Sequence, residues 1–348
     1  MKYFERRNLP VNIWFNRTFS AASHYVEMIR HNPDSKPFRI FATHPSRHSI
    51  MLQAADDAEL EPDVPVHEYA AYCLDFCERH KIDIFIPHYR LAEVAKHRDD
   101  FDRIGTKVML AGSAEMLSIV DDKGRLFEFL SGVPGLQLPD YEVVTTLEQF
   151  EKAYKRLKDK GCKVCLKPVS GEGGAGFRIV TDELATLQSL YEWAGAAIHI
   201  EEAVRLLGSE PGFPPLMVME YLEGSEYSVD CLGSAEGIVA AVPRKKVEGR
   251  LRLLEQNETL IRMAHEIHRV LPLQYNFNIQ FIYQGDVPKL LEINPRTSGG
   301  LYTTCLSGIN FPYLAVKLLL GEDFETPSPE FGIYATHLEK EYVIKRLF

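Results

Sequence analysis

The run LLEINPRTSGG, Leu290 to Gly300, and the strand-like NFNIQFIY shortly before it constrain this chain more than any other segment. Glu292 and Asn294 stand two residues apart, so on an extended strand both side chains leave the same face. Gln280 falls between Asn278 and Ile282 in the upstream run, and pairing the two runs as a hairpin carries its amide oxygen toward that face. Three oxygen ligands with one negative charge among them suit Mg²⁺ that completes its shell from phosphates and water, with Mn²⁺ as an alternative. The competing reading is a solvated glutamate followed by an ordinary Asn-Pro turn, and other segments have to decide between the two.

A chain of 348 residues with 45% hydrophobic content is long enough for two or three packed domains. The formal net charge of -10 argues against a general polyanion-binding surface and leaves room for a local basic cleft, so no nucleic-acid partner is expected. The opening MKYFERRNLP lacks the apolar core of a signal peptide, and no apolar run approaches the roughly 20 residues of a membrane helix. A cytoplasmic protein without a membrane partner is the expectation. Six cysteines are sparse: Cys73 and Cys77 share one face of an apparent helix, and Cys162 and Cys165 flank a strand without a second pair nearby. Buried free thiols are expected rather than zinc or redox chemistry.

The first part alternates strands and helices: VNIWFN then SAASHYVEMIRHN, FRIFATH then SIMLQAADD, IDIFIPHY then LAEVAKHRDDFDRI, VMLAG then SAEMLSIVDD. That order implies parallel βαβ units and a small Rossmann-like domain over residues 1–118. Asn16, Arg17 and Thr18 stand where a dinucleotide fingerprint would need glycines, so the nucleotide has to bind elsewhere. The turns after these strands face a common edge, which brings Asn16 to Ser20, His44 to Arg47 and His88 to Arg90 toward one crevice. His44, His48 and His88 each read as surface or strand-end histidines, and Arg90 is the better candidate to touch a substrate.

SGVPGLQLPD, residues 131–140, breaks the pattern and introduces YEVVT, the charged helix LEQFEKAYKRLKDKG and the strand KVCLKPV. Between that strand and FRIVT lie Ser170, Gly171, Gly173, Gly174 and Gly176, four glycines in seven positions that let backbone amides approach phosphate oxygens. No Gly-Lys-Ser/Thr closes this loop, so it is no Walker loop, and a tight hairpin is the plain alternative. Lys167 precedes it on an apolar strand and is placed to neutralise phosphate. In LMVMEYLEGSEYSVDCL the strand ending at Glu220 can offer backbone groups to an adenine edge, and a carboxylate just beyond can accept from ribose hydroxyls.

DDKGRLFEFL, KPVSGEGGAGFRIV, VMEYLEGSEYSVD, PRKKVEG, FNIQFIY and LLEINPRTSGG, in this order, resemble the ATP-grasp family over about Asp121 to Gly321. The likeness is nearest to the carbamoyl-phosphate synthetase large chain and the carboxylate-amine ligases. It implies an α/β and α+β architecture: a Rossmann-like domain over 1–118, a lid subdomain over 119–215 and a catalytic subdomain over 216–348. It further implies that Lys167 touches the α-phosphate and adenine region while Ser170 to Gly176 close over the β- and γ-phosphates. Glu220, Tyr221 and Leu222 would form the adenine hinge, with Glu226, or Glu223 in its place, on the ribose. Lys123, or else Arg125, matches the early nucleotide-contacting base.

By the same resemblance Gln280, Glu292 and Asn294 hold magnesium, the glutamine being the carbamoyl-phosphate synthetase variant. Arg296, two residues past Asn294, would meet the transferring phosphoryl group or the acylphosphate. Arg244 and Lys246 would clamp phosphate or substrate carboxylate, the alternative being a solvated strand edge, and Thr297 to Thr304 would line the substrate pocket. In such enzymes a carboxylate attacks the γ-phosphate of Mg-ATP and an amine displaces phosphate from the acylphosphate. After the helix FPYLAVKLLLG there is room only for a short closing strand such as FGIYATHLEKEYVIK, which favours an amino acid, peptide or other small acid over bicarbonate. A small carboxylate and an amine are therefore the expected partners, with a homodimer the common assembly of such relatives. A kinase on the same fold and a catalytically silent nucleotide sensor are the alternatives.

Overall fold

The computed structural model describes residues 10–171, 173–187, 191, 195–338 and 341–344. The first sheet contains β1 (Val11–Asn16), β2 (Phe38–His44), β3 (Asp57–Leu60), β4 (Ile84–Ile86) and β5 (Lys107–Val108), in the order β3-β2-β1-β4-β5. Every neighbouring pair is parallel. Ile13, Trp14 and Phe15 and then Ile84, Phe85 and Ile86 are buried in succession, as strands must be when helices cover both faces. The helices Ala22–Arg30, Ile50–Ala54 and Tyr69–His80 connect successive strands. Cys73 and Cys77 are buried on the last of them as free thiols. β3, read DAEL, is only four residues long and has no fully buried side chain, so the sequence offers little signal for it.

The second sheet comprises β6 (Tyr141–Val144), β7 (Val164–Pro168), β8 (Arg178–Thr181), β9 (Ala197–His199) and β10 (Leu216–Glu220), in the order β6-β10-β7-β8-β9. It is antiparallel except for β8 beside β9. The helix Leu147–Asp159 lays Phe150, Ala153 and Leu157 onto this sheet, a spacing of three and four that forms one stripe.

The third sheet contains β11 (Glu226–Gly233), β12 (Ile238–Glu248), β13 (Leu251–Leu254), β14 (Tyr275–Gln284), β15 (Val287–Asn294) and β16 (Ile333–Ala335), ordered β15-β14-β11-β12-β13-β16. β14 and β15 are adjacent, as the hairpin reading requires, and Gly285 between them takes φ +60. Among the described residues of FGIYATHLEKEYVIK only Ile333–Ala335 form strand, and positions 339, 340 and 345 lie outside the described residues.

The chain divides into two compact units, one of residues 1–118, 227–279 and 293–348, the other of 119–226 and 280–292. In the first, Ile13 and Ile40 share a core with Val242, Leu254, Phe311 and Val316. In the second, Phe150, Val164, Leu166 and Val218 form the core. Among the described residues no helix is long and apolar enough to cross a membrane.

Candidate active site

In the second unit three charged groups converge beside the glycine-rich turn. Asp122 caps the helix Lys123–Leu130 by accepting from the amides of Gly124 and Arg125 at 2.9 and 3.0 Å, which fixes Lys123 at the first helical position. The Lys123 ammonium donates to the Gly171 carbonyl at 3.1 Å and lies 3.8 Å from the Glu292 carboxylate. Lys167, on β7, is 9% exposed and reaches the Leu291 carbonyl at 3.5 Å. Burial, and after it the neighbouring Lys123 charge, pushes the Lys167 ammonium down to about 8, with Glu292 opposing. Such a lysine gains an anion readily, because a bound phosphate restores the charge balance that burial disturbs.

The turn itself needs its glycines. Gly171, Gly173, Gly174 and Gly176 take φ of +123, +66, +72 and +77, a region that L side chains rarely adopt. Glu172 lies outside the described residues. Ser170 and Gly171 are exposed.

At the proposed adenine hinge the Glu220 amide donates to Asp140 and the Tyr221 amide to Lys163, at 2.9 and 2.8 Å, so neither is available to a base. The Glu220 carboxylate is held by Lys289 and by the Asp140 amide, and Leu222 is buried. Glu223 pairs with Lys163 at 2.6 Å, whereas Glu226 opens β11 half-buried. Arg125 is exposed on the helix that Lys123 begins, and only Lys123 of that pair is buried. Gln280 sits on β14 and Glu292 with Asn294 on β15, and the two-residue spacing gives the latter pair a common strand face. All three offer oxygen donors, a chemistry that fits Mg²⁺ bound together with phosphates and water. Among the described residues no cluster of three or more His, Cys, Asp or Glu side chains could hold a metal by itself.

In the first unit Arg244 on β12 is 8% exposed. Its Nη2 donates to Asp230 Oδ2 at 3.2 Å and its Nε to Thr304 Oγ1 at 3.1 Å. Two guanidinium nitrogens are thus committed within the protein, a geometry that fastens the 298–304 segment rather than leaving a free clamp. Lys246, two residues on, is exposed. Asp230, fully buried, also accepts from Asn278 Nδ2 at 2.8 Å and Ser298 Oγ at 2.6 Å. The sequence reading overlooks Asp230, although a lone carboxylate inside the apolar run YSVDCL is the signal that exposes it. Arg296 Nη1 donates to the Thr297 carbonyl at 3.2 Å and the guanidinium lies 5.8 Å from the Phe19 ring.

Gly300 packs against the Arg244 guanidinium so closely that a Cβ there would lie 2.4 Å from it, while the same atom on Gly299 meets nothing within 4 Å. Gly300→Ala is accordingly expected to destabilise the chain by about 1–3 kcal/mol through overpacking, and Gly299→Ala by far less, as compared by urea unfolding. Equal effects would remove the steric argument.

His88 ends the strand side of its turn as expected, yet it is no surface histidine. Its backbone amide donates to Asn16 Oδ1 and its Nε2 pairs with Thr297 Oγ1, both at 2.7 Å. Burial, then the Arg296 charge, pushes the His88 imidazole down to about 3. Below the usual histidine pKa of about 6.5 the unfolded chain takes up a proton that the folded chain refuses, so this group costs stability as pH falls toward 3, by at most about 1.4 kcal/mol per pH unit. His88→Gln is expected to flatten the loss of unfolding midpoint between pH 6.5 and pH 4, and an unchanged slope would contradict it.

A family model described as ATP-grasp in the biosynthetic pathway with Ter operon matches residues 212–341. The carbamoyl phosphate synthase large chain of Clostridium acetobutylicum is 25% identical over 265 residues, 71% of this chain and 23% of that protein. The arginine-specific large chain of Bacillus subtilis is 21% identical over 327 residues, 86% of this chain and 29% of that one. The chain therefore spans about a quarter of the length of the curated relatives it matches. Among solved structures, the ADP complex of N5-carboxyaminoimidazole ribonucleotide synthetase superposes with a TM-score of 0.66 at 14% identity, covering 93% of this chain and 80% of the other. The biotin carboxylase domain of Hydrogenobacter thermophilus 2-oxoglutarate carboxylase, with MgADP and bicarbonate, gives 0.66 at 17% identity, covering 94% and 74%.

Proposed function

We propose that this chain, which carries the ATP-grasp fold and resembles carbamoyl phosphate synthase large chains, is an ATP-dependent ligase joining a small carboxylic acid to an amine through an acylphosphate. The observation that carries this reading is the convergence of Lys123, Lys167 and Glu292 next to a turn whose four glycines hold left-handed backbone. Two cations and one carboxylate make a setting for a nucleotide polyphosphate accompanied by a divalent cation. Magnesium held by Gln280, Glu292 and Asn294 would screen the charge on the transferring phosphoryl group.

The substrate carboxylate oxygen forms a bond to the γ-phosphorus as the bridge to the β-phosphate breaks, and ADP leaves. The amine then bonds to the acyl carbon, inorganic phosphate departs with the former carboxylate oxygen, and the amine proton passes to solvent or phosphate. Lys123 and Lys167 neutralise the polyphosphate in this scheme, the glycine turn excludes water, and Arg296 meets charge that develops on the transferring group. Arg244 keeps the segment carrying Arg296 in place.

The amino-terminal parallel sheet fits a Rossmann-like domain over 1–118, followed by a lid over 119–215 and a catalytic part over 216–348. Free thiols at all six cysteines agree with a cytoplasmic setting. A homodimer is the proposed assembly. The test is ATP consumption, with ADP and AMP resolved, over small carboxylic acids crossed with amines in the presence of Mg²⁺. ADP and phosphate released only with one acid and one amine together support the ligase, whereas a stable phosphorylated acceptor from one substrate alone would replace it by a kinase. Arg296→Ala is expected to lower kcat by about 10²-fold with ATP affinity little changed, because its contact strengthens as charge develops. A loss confined to ATP affinity would contradict that role.

A further inference from the structure

We propose that one buried water bridges His88 Nδ1 and Asn276 Oδ1, and that His88, locked by this water, is a positioning residue for Arg296. The positioning role rests on the ligase reading, whereas the water rests on the fold alone. All the groups involved belong to the first compact unit.

A cavity of about 20 Å³ has His88, Asn276, Arg296 and Thr297 among its polar walls and Ile86 and Met109 among its apolar ones. One water needs roughly 10–15 Å³, so the cavity admits a single water and nothing much larger. His88 Nδ1 and Asn276 Oδ1 are buried and have no hydrogen-bond partner among the described residues. Two such atoms on one small cavity are costly when dry, and a molecule that meets both removes the cost at once.

Bonds made elsewhere fix which atoms are left over. Asn276 is 5% exposed and its Nδ2 donates to the Phe311 carbonyl at 3.3 Å. A carbonyl can only accept, which sets the orientation of the amide and leaves Oδ1 as its open end. Asn16 accepts from the His88 backbone amide and Thr297 Oγ1 occupies Nε2, so Nδ1 is the remaining polar atom of the ring. The Ile86 carbonyl favours a proton on the imidazole yet falls outside hydrogen-bond geometry at Nδ1. An anion would be repelled by Oδ1 and a cation by Arg296, which leaves a neutral molecule. Water donates to Oδ1 and can meet Nδ1 as donor or acceptor, whichever role the Thr297 hydroxyl leaves to it.

Tyr275, another wall of the cavity and the residue before Asn276, takes φ +57, a costly conformation for a bulky side chain. Such strain persists only where the surroundings over-determine it. The link to Arg296 is direct. Thr297, bonded to the imidazole, follows it in the chain, and the Phe19 ring stands edge-on to His88 at 5.7 Å while lying 5.8 Å from the Arg296 guanidinium. An imidazole locked at both nitrogens therefore braces the backbone after Arg296 and the ring beside it.

The full chain is crystallised as wild type, His88→Phe and His88→Asn, and turnover of the three is compared over the acid and amine panel with Mg-ATP. His88→Phe keeps a ring without polar atoms, whereas the amide of His88→Asn stands as many bonds from the backbone as Nδ1 and can still hold the water. The expected wild-type density shows an ordered water within hydrogen-bond distance of Nδ1 and Asn276 Oδ1. In His88→Phe the water is lost, the Arg296 guanidinium moves by roughly 1 Å or more, and kcat falls about tenfold with KM for ATP unchanged. His88→Asn retains the water and recovers part of kcat. A wild-type cavity that is dry, or filled by the Arg296 side chain, overturns the site. An unmoved Arg296 with full kcat in His88→Phe, or a loss confined to ATP affinity, overturns the positioning role. If no acid and amine pair supports wild-type turnover, the ligase reading falls by itself, and the density and the place of Arg296 in His88→Phe still decide the inference.

Discussion

Glu292→Ala is expected to reduce Mg-dependent ATP turnover by at least about 10²–10³-fold, the scale on which a preorganised charge at a phosphoryl-transfer site acts. Two effects combine in this expectation. The variant removes the only carboxylate among Gln280, Glu292 and Asn294, leaving two neutral amide oxygens for a divalent cation. It also removes the negative charge that opposes Lys123 in setting the charge state of Lys167. With Glu292 gone, like-charge repulsion is unbalanced, Lys167 sheds its proton more easily, and phosphate affinity falls with it. The fold should barely notice. The Glu292 side chain is 27% exposed and its ion pair with Lys123 spans 3.8 Å, a contact whose loss costs at most about 1 kcal/mol. Turnover and unfolding midpoint measured on the same preparation separate these effects, and full turnover in a folded Glu292→Ala protein removes the residue from the site.

The strand pattern behind that expectation is written in the residues themselves. The alternation in LLEIN places Glu292 and Asn294 on one face, and the glycine count between KVCLKPV and FRIVT announces a turn whose four left-handed residues the structure displays. The parallel sheet is equally legible from strands spaced by amphipathic helices, because both-face burial leaves unbroken apolar runs. What the sequence hides is whatever depends on the partner a side chain finds across the fold. Arg244 and Lys246 look alike on a strand, yet one is buried against Asp230 and the other is exposed. Spacing favours Glu226 for the ribose with Glu223 as a substitute, and the pairing of Glu223 with Lys163 is visible only in the folded chain. His88 reads as a strand-end polar residue, and its bond to Thr297, 209 positions away, belongs to tertiary structure alone. β3 is silent in the sequence because DAEL pairs along its backbone and buries little.

Asp230→Ala is expected to destabilise the protein by about 3–5 kcal/mol, the cost of leaving a buried charge without its partner. Asp230 is fully buried and Arg244 is 8% exposed, so water cannot replace the lost contact. The substitution strands Arg244 Nη2, Asn278 Nδ2 and Ser298 Oγ at once, because the two carboxylate oxygens serve all three as well as Thr304 Oγ1. Removing the cation too should restore much of the loss: Asp230→Ala with Arg244→Met ought to be less destabilised than the sum of the two single variants, a coupling readable from a urea double-mutant cycle. Additive effects would show that the pair does not act as a unit. Function should follow stability in a specific way. Ser298 is two residues past Arg296, and the Ser298 carbonyl also accepts from the buried Tyr25 hydroxyl. Loss of Asp230 therefore loosens the backbone that aims Arg296, and below the unfolding transition Asp230→Ala should lower kcat as Arg296→Ala does while MgADP affinity is retained, because every nucleotide-contacting group proposed in the second unit is untouched.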